Sequence, residues 1–199
     1  EDNHGHKGLI GPGDVQWMTA GKGIIHSEMP SSPNGCLHGL QLWLNLPAAK
    51  KMQAPHYQEI AAAQLPIEKI IPGLTIKVIA GTTSQGTSSP LVDIATAPLF
   101  FDVHLSSGSV FEQKIPQNYQ AILLVISGQL SIADSALSKD EFAALSADGM
   151  LSVKALSDSQ FIFIAAKKLE ESIVRYGPFV MNNQTEIEQA IADFRSGHF

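Results

Sequence analysis

Cysteine is nearly absent from this sequence. Cys36 is the one copy in 199 residues, which excludes an internal disulfide framework and points to a reducing, cytoplasmic setting. Positive charge is also scarce, with 13 Lys and Arg against 19 Asp and Glu and a net charge of −6. The basic residues are scattered, and Lys50-Lys51 and Lys167-Lys168 are isolated pairs. No electrostatic footprint for nucleic acid is present, so direct DNA binding is not expected. No apolar run reaches the roughly 20 residues a membrane helix needs, and no signal peptide is seen. A G-x-S-x-G elbow, a P-loop and a dinucleotide fingerprint are all missing. Charged residues make up 16% of the chain and apolar ones 44%, a balance that suits a globular β-rich protein and not a disordered one.

What is present is a series of short apolar runs bounded by turn residues. Leu9-Ile10 leads into the turn Gly11-Pro12-Gly13-Asp14, after which Val15–Thr19 reads as a strand. Gly21-Lys22-Gly23 reverses the chain into a second expected strand, Ile24–Met29, and Ser31–Gly35 reads as a loop. His38–Leu46 alternates, with His38, Leu40, Leu42, Leu44 and Leu46 on one face, and is the third expected strand. Pro47, Pro55, Pro66 and Pro72 interrupt the next stretch, which reads as a connector with a helical turn near 61–64. Further strands are expected at Leu74–Ala80, Leu99–Leu105, Tyr119–Ser127, Gln129–Ala133, Phe142–Leu145, Leu151–Ala155 and Gln160–Ala166. Ser138 and Glu141 would also fit a capping box opening a helix, but the surrounding apolar strands favour a strand there. Thr185 to Glu188 reads as a capping box, and Ile187, Ala190, Ile191 and Phe194 follow at helical spacing.

Short strands at regular spacing without intervening helices imply an all-β protein. Two antiparallel barrel-type units are expected: 1–50, a connector at 51–73, a second unit at 74–180 and a terminal helix at 181–199. Three strands cannot close a barrel, so the first unit is expected to be incomplete. Glu1 is not an initiator Met, and EDNHGHKG reads as the middle of a turn; the chain is expected to be the remainder of a longer one.

Seven histidines are the candidates for chemistry. His26-x-Glu28 places an imidazole and a carboxylate on one face of an extended segment. On residue types alone it reads either as a polar pair on a solvated strand or as half of a site for a divalent first-row metal. His4-x-His6 has metal-ligand spacing, but Asn3 and Gly5 mark a turn tip where side chains face water. His38 shares its face with leucines, His56 lies in the connector, His104 is alone and His198 is in the tail. Cys36 has no neighbouring base in sequence and reads as inert. The second unit has no H-x-H and only isolated acids, so it is expected to be metal-free.

Long stretches of the chain resemble the pirin family of bicupin proteins. They are Gly13-Asp14-Val15-Gln16-Trp17-Met18-Thr19-Ala20-Gly21, Gly23-Ile24-Ile25-His26-Ser27-Glu28-Met29-Pro30 and His38-Gly39-Leu40-Gln41-Leu42-Trp43-Leu44-Asn45-Leu46. Tyr57-Gln58-Glu59, Tyr176-Gly177-Pro178-Phe179-Val180-Met181-Asn182 and Ile191-Ala192-Asp193-Phe194-Arg195 extend the likeness to both ends. The resemblance implies two cupin-type antiparallel units with a C-terminal α-helix. It implies an iron(II) site, or one for another divalent first-row ion, in the first cupin, with His26 and Glu28 as ligands. It also implies an early H-x-H pair that this sequence lacks, and His4 and His6 do not replace it. Quercetin 2,3-dioxygenase-type ring opening is the implied activity, with Glu28 also relaying the flavonol proton and apolar side chains such as Trp17 and Met18 walling a flat aromatic substrate. The alternative implied by the family is a non-enzymatic, iron- or redox-dependent regulator that binds a protein partner.

Overall fold

In the computed structural model, residues 1–32, 35–145 and 148–199 are described. Antiparallel strands dominate, and α1 (Ala48–Lys51) and α2 (Gln184–Ser196) are the helices among the described residues. Neither is long and apolar enough to cross a membrane. The chain divides into two compact units: Glu1–Glu59 with Leu169–Phe199, and Ile60–Lys168.

In the discontinuous unit, β1 (Val15–Thr19) pairs with β2 (His56–Ile60). In the Ile60–Lys168 unit, ten strands form two sheets. They are β3 (Ile67–Glu68), β4 (Leu74–Ala80), β5 (Leu99–Leu105), β6 (Val110–Ile115), β7 (Tyr119–Ser127), β8 (Gln129–Ile132), β9 (Ser135–Ser138), β10 (Phe142–Leu145), β11 (Gly149–Ala155) and β12 (Ser159–Lys167). One sheet has the order β10-β7-β12-β5-β4-β3 and the other β6-β11-β8-β9. The discontinuous unit is completed by the hairpin β13 (Val174–Tyr176) and β14 (Phe179–Met181), on which α2 docks.

Period-two alternation builds the core of the ten-stranded unit. Leu99, Phe101, Val103 and Leu105 point inward from β5, and Ala121, Leu123 and Val125 do so from β7. Phe101 and Phe163 are direct cross-strand partners, their rings 5.7 Å apart. Phe111 reaches in from the other sheet, edge-on to Phe161 at 5.4 Å and 5.8 Å from Phe163. Four phenylalanine rings therefore occupy the space between the sheets, and all four are fully buried. The turn between β7 and β8 demands glycine at Gly128. Its φ is +81°, and a Cβ there would lie 2.3 Å from the Asp158 carbonyl oxygen.

Two expected strands do not form. Ile24–Met29 makes an isolated bridge, Asp2 to His26, and His38–Leu46 belongs to no ladder. Both carry strand-type patterns, but a strand exists only by pairing, and no second strand among the described residues lies alongside them. Among the described residues of the first 46 there is hence one strand rather than three. The Pro-rich stretch holds α1, β2, β3 and a 3-10 turn at Ala62–Gln64. Pro33 and Asn34, in the expected loop Ser31–Gly35, lie outside the described residues. The segment after Ser138 is a strand, with the Glu141 carboxylate accepting from the Ser138 N–H across the turn that opens it. Helix α2 begins two residues earlier than its sequence suggests: Asn183 and not Thr185 is the N-cap, its side chain accepting from the Glu186 N–H at 2.9 Å.

Candidate metal-ligand segment

The turn at Gly11 is closed by Asp14, whose carboxylate accepts the Gly11 N–H at 2.7 Å while its own N–H donates to the Gly11 carbonyl. That turn launches β1, in which Trp17 and Met18 are half-buried. At the other end of β1 the Lys22 N–H donates to the Gln53 carbonyl, fixing the Gly21–Gly23 reversal. The chain then runs extended through His26 and Glu28.

Residues 25 and 27 are tied down along one edge. The Asn3 N–H donates to the Ile25 carbonyl at 2.9 Å, the Ile25 N–H donates to the Asn3 side-chain oxygen at 3.0 Å, and the Ser27 N–H donates to the Glu1 carbonyl at 2.8 Å. His26 and Glu28 alternate with these residues, and both are exposed. The Gln41 side-chain amide donates to Glu28 Oε1 at 3.2 Å. Among the described residues it is the side chain that hydrogen-bonds directly to the pair, and nothing in its sequence setting marked it for that role.

His4 and His6 sit on the turn that supports this segment. The Asp2 carboxylate accepts the N–H groups of both, each at 2.9 Å, and the His6 ring stacks flat on Tyr57 at 4.6 Å. Partial burial raises the Asp2 carboxyl, but the His6 and His4 N–H donors, the Tyr57 hydroxyl and the nearby His6 ring outweigh it and hold the group below the ordinary carboxylate range. Burial, and then the Asp2 charge, push the Tyr57 hydroxyl above its usual value. Asp2 and Tyr57 thus form a polar support that sequence reasoning missed, because Asp2 reads as an ordinary turn residue. Cys36 and His38 are exposed, as is His56 in β2. His104 lies on the outer face of the ten-stranded unit, 3.8 Å from Asp102, and His198 caps its own turn through Ser196.

The donor types at His26 and Glu28 suit iron, but two donors do not make a site. Among the described residues no three His, Cys, Asp or Glu side chains come together to hold a metal ion. The residues present therefore do not by themselves fit iron.

Residues 100–199 match the family described as pirin C-terminal cupin domain, and residues 1–44 match the pirin family. This chain belongs to the pirin family. The pirin-like protein of Caulobacter vibrioides is 41% identical over 199 residues, covering all of this chain and 72% of that protein. Human pirin is 41% identical over 202 residues, covering 98% of this chain and 68% of its own length. A crystal structure of quercetin 2,3-dioxygenase from Acinetobacter baumannii superposes with a TM-score of 0.86 at 34% identity, over 100% of this chain and 71% of that one. The cupin fold of this pirin-family chain, all-β with a single long C-terminal helix, follows from both the strand topology and these relatives.

Proposed function

We propose that this pirin-family chain contributes His26 and Glu28 to a cupin iron(II) site with quercetin 2,3-dioxygenase-type activity toward a flavonol-like aromatic molecule, in the cytoplasm. The reading is carried by one observation: His26 and Glu28 stand exposed two residues apart, Glu28 held by Gln41. The likeness to the Acinetobacter quercetin 2,3-dioxygenase supports the substrate class. Two donors do not complete a site, so further ligands would be needed; iron held there would supply Lewis-acid and redox chemistry. This chain's own part is to provide the imidazole and carboxylate, and to let Glu28 accept the flavonol hydroxyl proton. Trp17 and Met18 supply apolar surface for a flat ring system.

A second reading is a non-enzymatic regulator that binds a protein partner. It is favoured by exposed apolar side chains at Leu37, Leu40 and Trp43, the last 58% exposed with the Arg175 guanidinium over its ring at 5.5 Å. Aromatic and Arg side chains are common anchors in protein interfaces, and the net acidic balance suits a protein partner better than DNA.

Iron content and oxygen uptake with quercetin separate the readings. Bound iron that is lost in His26→Ala, together with quercetin consumption, supports the enzyme. Bound iron that leaves quercetin untouched favours the regulator. Failure of the full-length protein to take up iron under anaerobic loading overturns the iron site in both.

A further inference from the structure

The residues that follow α2 return to the ligand segment. Gly197 takes a left-handed conformation, φ +74°, and the His198 N–H donates to the Asp193 carbonyl at 2.9 Å. This closure reverses the chain and lays the Phe199 ring among Phe194, at 5.9 Å, and Phe179, at 6.1 Å. Phe179 and Phe194 are themselves 6.3 Å apart. Three rings from a hairpin, a helix and the segment beyond it thus meet in tilted and edge-on geometry.

Phe199 makes two contacts with the ligand segment, and they are independent of each other. Its ring lies over the α-carbon of Gly23: a Cβ built there would fall 2.5–2.7 Å from three ring atoms. The φ of +142° at Gly23 is open to glycine and strained for other residues. Meanwhile the main-chain oxygen of Phe199 accepts from the Asn3 side-chain amide at 2.6 Å. Asn3 is the residue that grips Ile25 in both directions, through its N–H and its side-chain oxygen. The ring therefore seats the turn three residues before His26, and the oxygen secures the residue that holds its immediate neighbour.

We infer that Phe199 is a positioning residue for the His26–Glu28 pair, acting through Gly23 and Asn3. His26 and Glu28 are exposed, so packing around their own side chains does not fix them. Their placement depends on the main chain beneath, whose hydrogen bonds among the described residues run through Asn3 and Glu1. An aromatic plate pressed on a glycine permits close approach, and a larger residue at either position would push the turn away. The inference deepens the metal-site reading but does not need metal for its first test.

Nuclear magnetic resonance of the histidine rings in the full chain provides that test. In Phe199→Ala the His26 ring resonances are expected to move toward those of a denatured histidine and to broaden. Phe199→Tyr should keep the wild-type positions, as should the methyl resonances of Leu123 and Val125 in every variant. Gly23→Ala displaces the ring by a separate route and should move His26 in the same direction. Asn3→Asp, which keeps an oxygen for the Ile25 N–H and replaces the donor to the Phe199 oxygen with a carboxylate oxygen that repels it, should give a shift of the same sign and guards against a Phe199→Ala protein that fails to fold. Unchanged His26 resonances in all three variants overturn the inference. A nickel(II) titration reads the consequence: Phe199→Ala should weaken binding about tenfold, the low end for loss of a residue supporting a ligand, with recovery in Phe199→Tyr. Equal nickel affinity in Phe199→Ala and the wild type overturns the positioning role. If no form binds nickel, these two donors do not hold the ion alone, and the His26 resonances decide the positioning role.

Discussion

Lys51 is a buried lysine whose surroundings oppose its charge. It is 5% exposed, and its ammonium donates to the Asn45 side-chain oxygen at 2.7 Å and to the Val180 carbonyl at 3.1 Å. Burial lowers its pKa, and the charges of Glu171 and Glu186 offset part of that fall. A lysine whose folded pKa lies below its unfolded value releases its proton earlier in the folded state. Between those two values the unfolded chain binds more protons, so stability rises with pH there. Urea melts from pH 8 to 10 should show the wild type gaining stability relative to Lys51→Met, which has no such proton to lose. At pH 7 the same substitution leaves the Asn45 and Val180 oxygens without their donor and should cost about 1–3 kcal/mol. A flat difference between the two proteins across that pH range would contradict this account. Tyr57 and Tyr119, whose raised values act in the opposite sense above pH 10, are common to both proteins and cancel in the difference.

At the scale of elements, α2 depends on its cap. Asn183 accepts from the Glu186 N–H, its amide donates to Glu186 Oε1 at 2.9 Å, and Glu186 Oε2 accepts the Asn182 N–H at 2.8 Å. Asn183→Ala should lower stability by about 1 kcal/mol, read by denaturant melts, with loss concentrated in hydrogen-exchange protection at the start of α2. Sequence placed this helix but put its cap two residues late, because Thr185 and Glu188 fit the same spacing rule as Asn183 and Glu186. The strands from β4 to β12 whose inward residues are all apolar were legible, since burial and period agree there. β6 was not: its inward row is Phe111, Gln113 and Ile115, and the buried Gln113 breaks the apolar pattern. Gln113 earns no place from hydrophobicity but accepts the Ser84 N–H and donates to the Lys114 carbonyl. The converse held at Ile24–Met29 and His38–Leu46, where a strand-type pattern is present but no strand forms, because no strand among the described residues pairs with either. His26 and Glu28 were therefore legible as candidates by spacing, whereas their supports, Gln41, Asn3 and Phe199, lie 13 to 196 residues from what they hold and leave no local signal.

For the whole molecule, the decisive feature is that one unit is interrupted by the other. The chain leaves the first at Glu59 and re-enters at Leu169. While the Ile60–Lys168 unit is folded, it fixes the ends that the interrupted unit must bring together; once unfolded, it becomes a long flexible loop whose closure costs entropy. Phe163→Ala, which removes a fully buried ring touching Phe101 and Phe111, should destabilise its own unit by about 3–5 kcal/mol. It should also lower protection of the Ile187 amide in α2, although Ile187 belongs to the other unit. Asn183→Ala should leave protection at Leu123 unchanged, and equal loss at both amides in both variants would contradict this directionality. The interruption also sets an order of events during synthesis. The segment bearing His26 and Glu28 emerges from the ribosome before its supports in β13, β14, α2 and Phe199 have been translated. At roughly 5–20 residues per second, it waits on the order of ten seconds with Gly23 uncovered and the exposed apolar side chains around it open to chaperones and to neighbouring nascent chains.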